Sequence, residues 1–194
     1  VVTVISIELK DGNKQVGIEI PSIENKTETS SIAFVNDSVE EYSERVIEQF
    51  YSDVEKGQGS LDIDYEVITN NDTWFTLLIW SVEIQASGYE RRSYYSIDKV
   101  TNEYKSFSEL FSDFSKSRIL INKNIIGQMK LRMAEEDVTF FIKAVDDSGF
   151  ESVLENQDYY FNENNELVVS FDEYEIAPGY MGVVEFILPK ELIK

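Results

Sequence analysis

The groups of this 194-residue chain most able to do chemistry are its 37 aspartates and glutamates. Two carboxyls about 5–9 Å apart across a cleft, one of raised pKa, hydrolyse glycosides. Close-set acids occur at Asp62/Asp64 and at Asp172/Glu173/Glu175. Acids that alternate along the outer face of a strand stay solvated and gain no such tuning, so both groups read as solvated faces. Asn70–Asp72 and Asn162–Glu166 are rich in oxygen ligands but lack the alternation, glycine and terminal acid of a calcium loop, and read as hairpin turns. There is no histidine and no cysteine. Ser-His-Asp and Cys-His nucleophiles, imidazole bases, thiolate metal sites and disulfides are thereby excluded. No glycine-rich phosphate loop with a following lysine occurs. No cofactor or metal is expected, and the chain reads as a non-enzyme. The sequons at Asn25-Lys26-Thr27, Asn36-Asp37-Ser38 and Asn71-Asp72-Thr73 are of a kind that arises by chance in an asparagine-rich sequence.

Two turn segments suit recognition better than catalysis. Ser87-Gly88-Tyr89-Glu90-Arg91-Arg92 follows a core-like strand and places an aromatic, an acid and two cations in one exposed connection. Ala177-Pro178-Gly179-Tyr180-Met181-Gly182 carries Tyr and Met between glycines. Exposed Tyr and Met on constrained loops give large contact area for little entropy lost. Composition leaves a second outcome open for Tyr89 and Tyr180, that they fold back on the core, and another for Arg91 and Arg92, that they only pair with local acids.

These turns need a scaffold to hold them. Thr3–Lys10 and Gln15–Ile20 read as a hairpin around Lys10–Asn13, ending at Pro21, with 22–29 a loop. Asn36, Asp37 and Ser38 offer N-cap oxygens, with Ser38 and Glu41 as a capping box. Val39, Tyr42, Val46, Phe50 and Val54 then fall on one helix face, with Glu40, Glu41, Glu44, Glu48, Asp53 and Glu55 off it and Gly57 closing the helix. Leu61–Ile68 alternates as a half-buried strand, and Trp74–Ile84 is dense in β-branched and aromatic residues, as a central strand is. Ser93–Asp98 returns. Ser106 and Glu109 form a capping box for a short helix reaching Phe111 or Phe114. An amphipathic helix is expected over 118–136, with Ile119, Ile121, Ile125, Ile126, Met129, Leu131 and Met133, and a blemish at Gly127. Val138–Val145 is ambiguous. Tyr159–Asn162, Leu167–Tyr174 and Val183–Leu188 read as strands, the first two joined at Glu163–Asn165. Antiparallel hairpins with helices between make an α+β fold of two closely associated subdomains, 1–86 and 87–194.

Chain-wide properties narrow the partner. A chain this long buries roughly 70% of its unfolded surface and needs no staple to fold. Acids exceed the 17 basic residues by enough to give a net charge of −20. A nucleic-acid binder needs a basic stripe, so that class is excluded. No 18-residue apolar run occurs. The opening Val1-Val2-Thr3-Val4-Ile5-Ser6-Ile7 lacks Met and already alternates, reading as a fragment of a longer protein with a membrane anchor upstream, or as a processed secreted protein.

The segment from Phe171 through Tyr174-Glu175-Ile176-Ala177-Pro178-Gly179-Tyr180-Met181-Gly182 to Phe186 and Pro189 resembles the closing signature of the RsiV-type extracellular domain, the lysozyme-sensing region of membrane anti-sigma factors. Tyr95–Phe111, with Asp98, Thr101, Phe107 and Leu110, is similar to that family's strand, threonine-bearing turn and Leu/Phe helix, and Asp158–Phe161 leading to Leu167 fits as well. The motifs cover roughly 87–194; many relatives carry a Gly-Ala-His-like triplet where Ala86-Ser87-Gly88 stands here. The resemblance implies an ectodomain on the extracellular face of the membrane that binds lysozyme. Binding then exposes the full-length protein to signal peptidase, and a further cut releases a sigma factor held by a cytoplasmic part. From the two turns themselves, the lysozyme contacts expected are Ser87, Gly88, Tyr89, Glu90, Pro178, Gly179, Tyr180 and Met181, with Tyr89 and Tyr180 as anchors. A −20 domain independently suits a strongly basic partner. The alternative is a cell-wall glycan-binding or accessory module of a peptidoglycan-modifying protein.

Overall fold

The computed structural model describes residues 1–25, 27–54 and 57–193. Glu55, Lys26 of the first sequon, and Lys194 at the end of the expected second subdomain lie outside the described residues. Strands β1 (Val2–Asp11) and β2 (Lys14–Ile23) pair antiparallel around Gly12, whose φ of +59° a glycine adopts without a Cβ penalty. The expected hairpin is present, but β2 runs through Pro21 and Ser22 to Ile23. Helix α1 (Ser30–Val54) begins well before the expected cap. Thr29 Oγ1 accepts the Ile32 N–H at 3.2 Å and starts the helix. Ser38 instead lies inside it and returns its hydroxyl to the Phe34 carbonyl, 2.7 Å away. Asn36 turns aside to pair with both backbone groups of Ile23. Ile32 and Val35 extend the stripe of Val39, Tyr42, Val46, Phe50 and Val54, and this longer apolar face overrides the polar triplet.

Strand β3 (Gly59–Asn70) buries Leu61 and Ile63 and exposes Asp62 and Asp64, as its alternation requires. It bonds β2 in parallel, α1 forming the crossover, so the sheet is not made of hairpins alone. β4 (Trp74–Ile84) and β5 (Gly88–Asp98) follow antiparallel, and β6 (Glu103–Tyr104) closes a six-stranded sheet in the order β1-β2-β3-β4-β5-β6. The sheet thus crosses the expected boundary at 86/87. One core lies between α1 and this sheet: Leu61, Ile63, Leu77, Ile79 and Ile97 against Val35, Val39 and Phe50. Completely burying one such side chain stabilises by about 1.5–3 kcal/mol.

The second core belongs to the C-terminal part. The Ser106 N–H donates to the Glu109 carboxylate at 2.8 Å, and the expected short helix is a single 3₁₀ turn, Phe107–Leu110. Helix α2 (Phe114–Glu135), capped by Asp113, buries Ile121, Ile125 and Met129; Ile119 and Leu131 are exposed, so its apolar stripe is narrower than the sequence implies. The ambiguous stretch is irregular until α3 (Lys143–Asp146). β7 (Tyr159–Phe161), β8 (Leu167–Phe171) and β9 (Val184–Ile187) form a second antiparallel sheet, with every residue of β8 buried. The two parts meet through Trp74 stacked on Phe161 (4.4 Å between centroids) and Tyr94 on Tyr160 (5.3 Å), with the Thr69 hydroxyl donating to the Phe161 carbonyl. The fold is α+β, as expected.

Candidate functional site

The structure divides the first recognition segment. Only Gln85, Ala86 and Ser87 connect β4 to β5, for Ile84 already pairs with Gly88 and Glu83 with Tyr89. Gly88, Tyr89, Glu90, Arg91 and Arg92 are therefore strand residues, a correction to the exposed connection expected. The cross-strand ladder holds them, while Ser87 and Gly88 stay exposed at the tip. Tyr89 is half-buried, with the Arg91 guanidinium 4.7 Å from its ring. Glu90 pairs with Arg92 at 2.7 Å, and Arg92 also lies 3.7 Å from Glu185. The local pairing expected of Arg92 is present.

The second segment sits on the long connection from β8 to β9, residues 172–183. Ile176 and Ala177 are buried and pin its middle to the second core. Pro178 leads into a 3₁₀ turn, Gly179–Met181, closed by the Met181 N–H on the Pro178 carbonyl at 3.0 Å. Gly182 then takes φ +62°, ψ −148°, a conformation essentially confined to glycine. Tyr180 projects from this turn, 69% exposed. Met181 is half-buried against the second core, so it braces the turn more than it displays a side chain.

Folding brings the two segments together through a residue the sequence reading did not select. Tyr174 holds φ +67°, rare for a bulky side chain and a mark of strain at functional positions. Its ring lies 6.1 Å from that of Tyr89 and directly over Gly179, where an added Cβ would collide with it. Glycine at 179 thus leaves room for the Tyr174 ring, and a larger residue there would push that exposed ring aside. Tyr174 and Tyr180 are both exposed, and Tyr89 is half-buried beside Tyr174, which links β5 to the turn that carries Tyr180. No glycine, proline or cap pattern marks Tyr174; its one signal is its place inside the Phe171–Pro189 signature.

Carboxylates complete the junction. The Glu90 N–H donates to Glu173 Oε2 at 2.9 Å, the Arg92 N–H to Asp172 Oδ1 at 2.9 Å and the Tyr94 N–H to Asp158 Oδ1 at 3.3 Å. The Asp172 N–H in turn donates to Glu175 Oε2 at 2.9 Å. Burial, with the charges of Asp172 and Glu175 beside it, pushes the Asp158 carboxyl up to about 7 against the pull of the Tyr94 N–H. Burial also raises Asp172, opposed by the Arg92 N–H and the Arg91 and Arg92 guanidiniums, and raises Glu175, which sits beside the Asp172 charge. Asp172 and Glu173 are therefore half-buried and bonded to main chain, not the solvated face expected of them, whereas Asp62 and Asp64 are solvated. Asn162 and Asn71 likewise spend their side-chain oxygens on turn N–H groups. Among the described residues no group of three or more acids is arranged to hold a metal ion. Nor does any helix have the length and apolarity to cross a membrane.

What this geometry offers is contact area: exposed aromatic rings on a braced loop, rimmed by acids, beside a short hairpin tip. Residues 108–191 match the family described as "Protein of unknown function (DUF3298)". Two solved structures share the fold: a DUF3298 member from Bacteroides fragilis (TM-score 0.68, 16% identity, 98% of this chain and 90% of that one) and one from Pseudomonas aeruginosa PAO1 (TM-score 0.70, 12% identity, 98% and 91%). Along the whole chain the similarity is stronger to the anti-sigma-V factor RsiV of Bacillus subtilis, 33% identical over 195 residues, which span 96% of this chain and 67% of that protein. By that match, and by the signature that carries Tyr174 and Tyr180, the chain belongs to the RsiV-type anti-sigma factor family.

Proposed function

We propose that this chain is the extracellular sensor region of a membrane anti-sigma factor, a non-enzymatic receptor whose β4–β5 tip and 172–183 loop dock together in the substrate cleft of lysozyme. Ser87, Gly88, Tyr89, Glu90, Pro178, Gly179, Tyr180 and Met181 form or shape the docking face, with Tyr174 joining the two segments. The observation that carries this reading is Tyr180, exposed on a loop fixed from below by Ile176, Ala177 and Met181. An aromatic held outward by a rigid base is the form an interface anchor takes, because little rotamer freedom is left to lose on binding. The −20 charge supports a basic partner, whose approach it steers over a Debye length of about 8 Å at physiological salt. In the full-length protein, docking exposes the chain to signal peptidase, and the cascade ends in release of a sigma factor bound by a cytoplasmic part.

Exposed tyrosines also stack on sugars, so direct binding of cell-wall glycan is the reading to separate. Calorimetric titration does so. The expected result is saturable heat with a basic lysozyme and none with a soluble muropeptide; heat with the muropeptide and none with lysozyme would make the chain a glycan module instead.

A further inference from the structure

We infer that Asp158, Asp172 and Glu173 are positioning residues for the docking face: they clasp the 172–183 loop and the start of β7 onto the free edge of β5. That the clasped surface is a docking face rests on the reading above.

The clasp is built on backbone geometry. On its far side β5 pairs with β6 only at Ile97 and Asp98, leaving the stretch before them as an edge. A bare edge offers outward N–H groups to any passing strand. Here the outward groups of Glu90, Arg92 and Tyr94 each donate to a carboxylate in place of a strand partner. Two of those carboxylates come from the connection that carries Tyr180. The third belongs to Asp158, whose own carbonyl accepts the Ser170 N–H and so ties it to β8. Bonds from main-chain N–H to ionised carboxylate are among the stronger kind, and they set the distance between Tyr89 and Tyr174.

Their cost is first the burial of carboxylates away from water and, beyond that, crowding of like charge. Asp158 faces Asp172 and Glu175, with the Tyr95 and Tyr104 hydroxyls on its sheet side. Asp172 faces Glu90 as well, with Arg91 and Arg92 as its cations, and its charge reaches the Tyr42 hydroxyl on α1. Glu175 faces Asp172. Asp158, Asp172 and Glu175 all bind protons more tightly in the closed arrangement than a solvated carboxylate does. The sign is therefore the reverse of the usual salt-bridged aspartate. Asp158's contribution is fully present below its ordinary value of 3.8 and is lost as the pH rises through about 7. A protonated carboxyl keeps a carbonyl oxygen to accept the Tyr94 N–H, so acid relieves repulsion without breaking the bond.

Amide hydrogen exchange by NMR, corrected for intrinsic base catalysis, tests this without any partner. From pH 6 to pH 8, protection at Glu90, Arg92 and Tyr94 is expected to fall about tenfold, the change that titrating Asp158 alone produces, while Leu77 and Ile79 in β4 hold. Asp172→Asn keeps an acceptor oxygen but removes a charge, so it should lower the Asp158 midpoint read from its side-chain ¹³C shift and weaken that dependence without abolishing it, since burial is the larger cause. The double variant Asp172→Ala/Glu173→Ala should lose protection at Glu90 and Arg92 and bind lysozyme more than about tenfold more weakly, in line with loss of preorganisation. Protection indifferent to pH and to both variants overturns the clasp. Lost protection with unchanged lysozyme affinity overturns its positioning role. A wild-type chain that binds no lysozyme defeats the function reading, and the exchange measurements still judge the clasp.

Discussion

Tyr89, Tyr174 and Tyr180 sit within one small region and carry three different duties. Tyr89 is half-buried under Arg91, Tyr174 is a strained strut over Gly179, and Tyr180 is free. Because Tyr180 is 69% exposed, Tyr180→Ala removes almost nothing the fold uses. It should weaken lysozyme binding by on the order of 2 kcal/mol while the melting temperature stays nearly unchanged, both readable from one calorimetric series. A matching loss of stability would show that the ring packs on the core. The sequence made Tyr89 and Tyr180 visible because glycines and proline flank them. Tyr174 was hidden because its role comes from contacts with residues 89 and 179, which no local pattern encodes. Asp172 and Glu173 were misread for the same reason: an acid beside a strand looks solvated until another strand's edge arrives next to it.

At the scale of elements, local periodicity was a good guide where one residue pattern dominated. Trp74–Ile84 is found at its expected ends, since β-branched and aromatic density has no competing reading there. Helix α1 is evident from its apolar stripe, but its start is not, because Asn36-Asp37-Ser38 looks like a cap and only the tertiary burial of Ile32 and Val35 shows otherwise. The spacing over 118–136 implies an amphipathic helix with seven apolar positions, Ile119 and Leu131 among them. In the fold only Ile121, Ile125 and Met129 are buried, on successive turns, while Ile119 is 68% exposed. Ile125→Ala should therefore cost about 2–5 kcal/mol and Ile119→Ala under about 0.5 kcal/mol in urea unfolding. Equal costs would contradict the narrow stripe. The parallel pairing of β2 with β3 was illegible, since alternation fixes which face a strand buries and says nothing of its neighbour.

For the whole molecule, composition was the most informative property. The charge of −20 disfavours a nucleic-acid partner, and a chain without His and Cys has no imidazole or thiolate nucleophile. What composition could not supply is how the six-stranded sheet passes from residue 86 into β5 and so carries one recognition segment to the other's side. That long-range pairing sets the two turns beside each other, and the proposed docking requires their shared face to enter the lysozyme cleft. The most direct measurement is calorimetric titration of this chain into a basic lysozyme, free and then with its cleft saturated by an N-acetylglucosamine oligomer. Docking in the cleft predicts that the sugar lowers the apparent affinity at least about tenfold, or 1.4 kcal/mol, and that removing it restores binding. Affinity unaffected by a filled cleft would contradict the account.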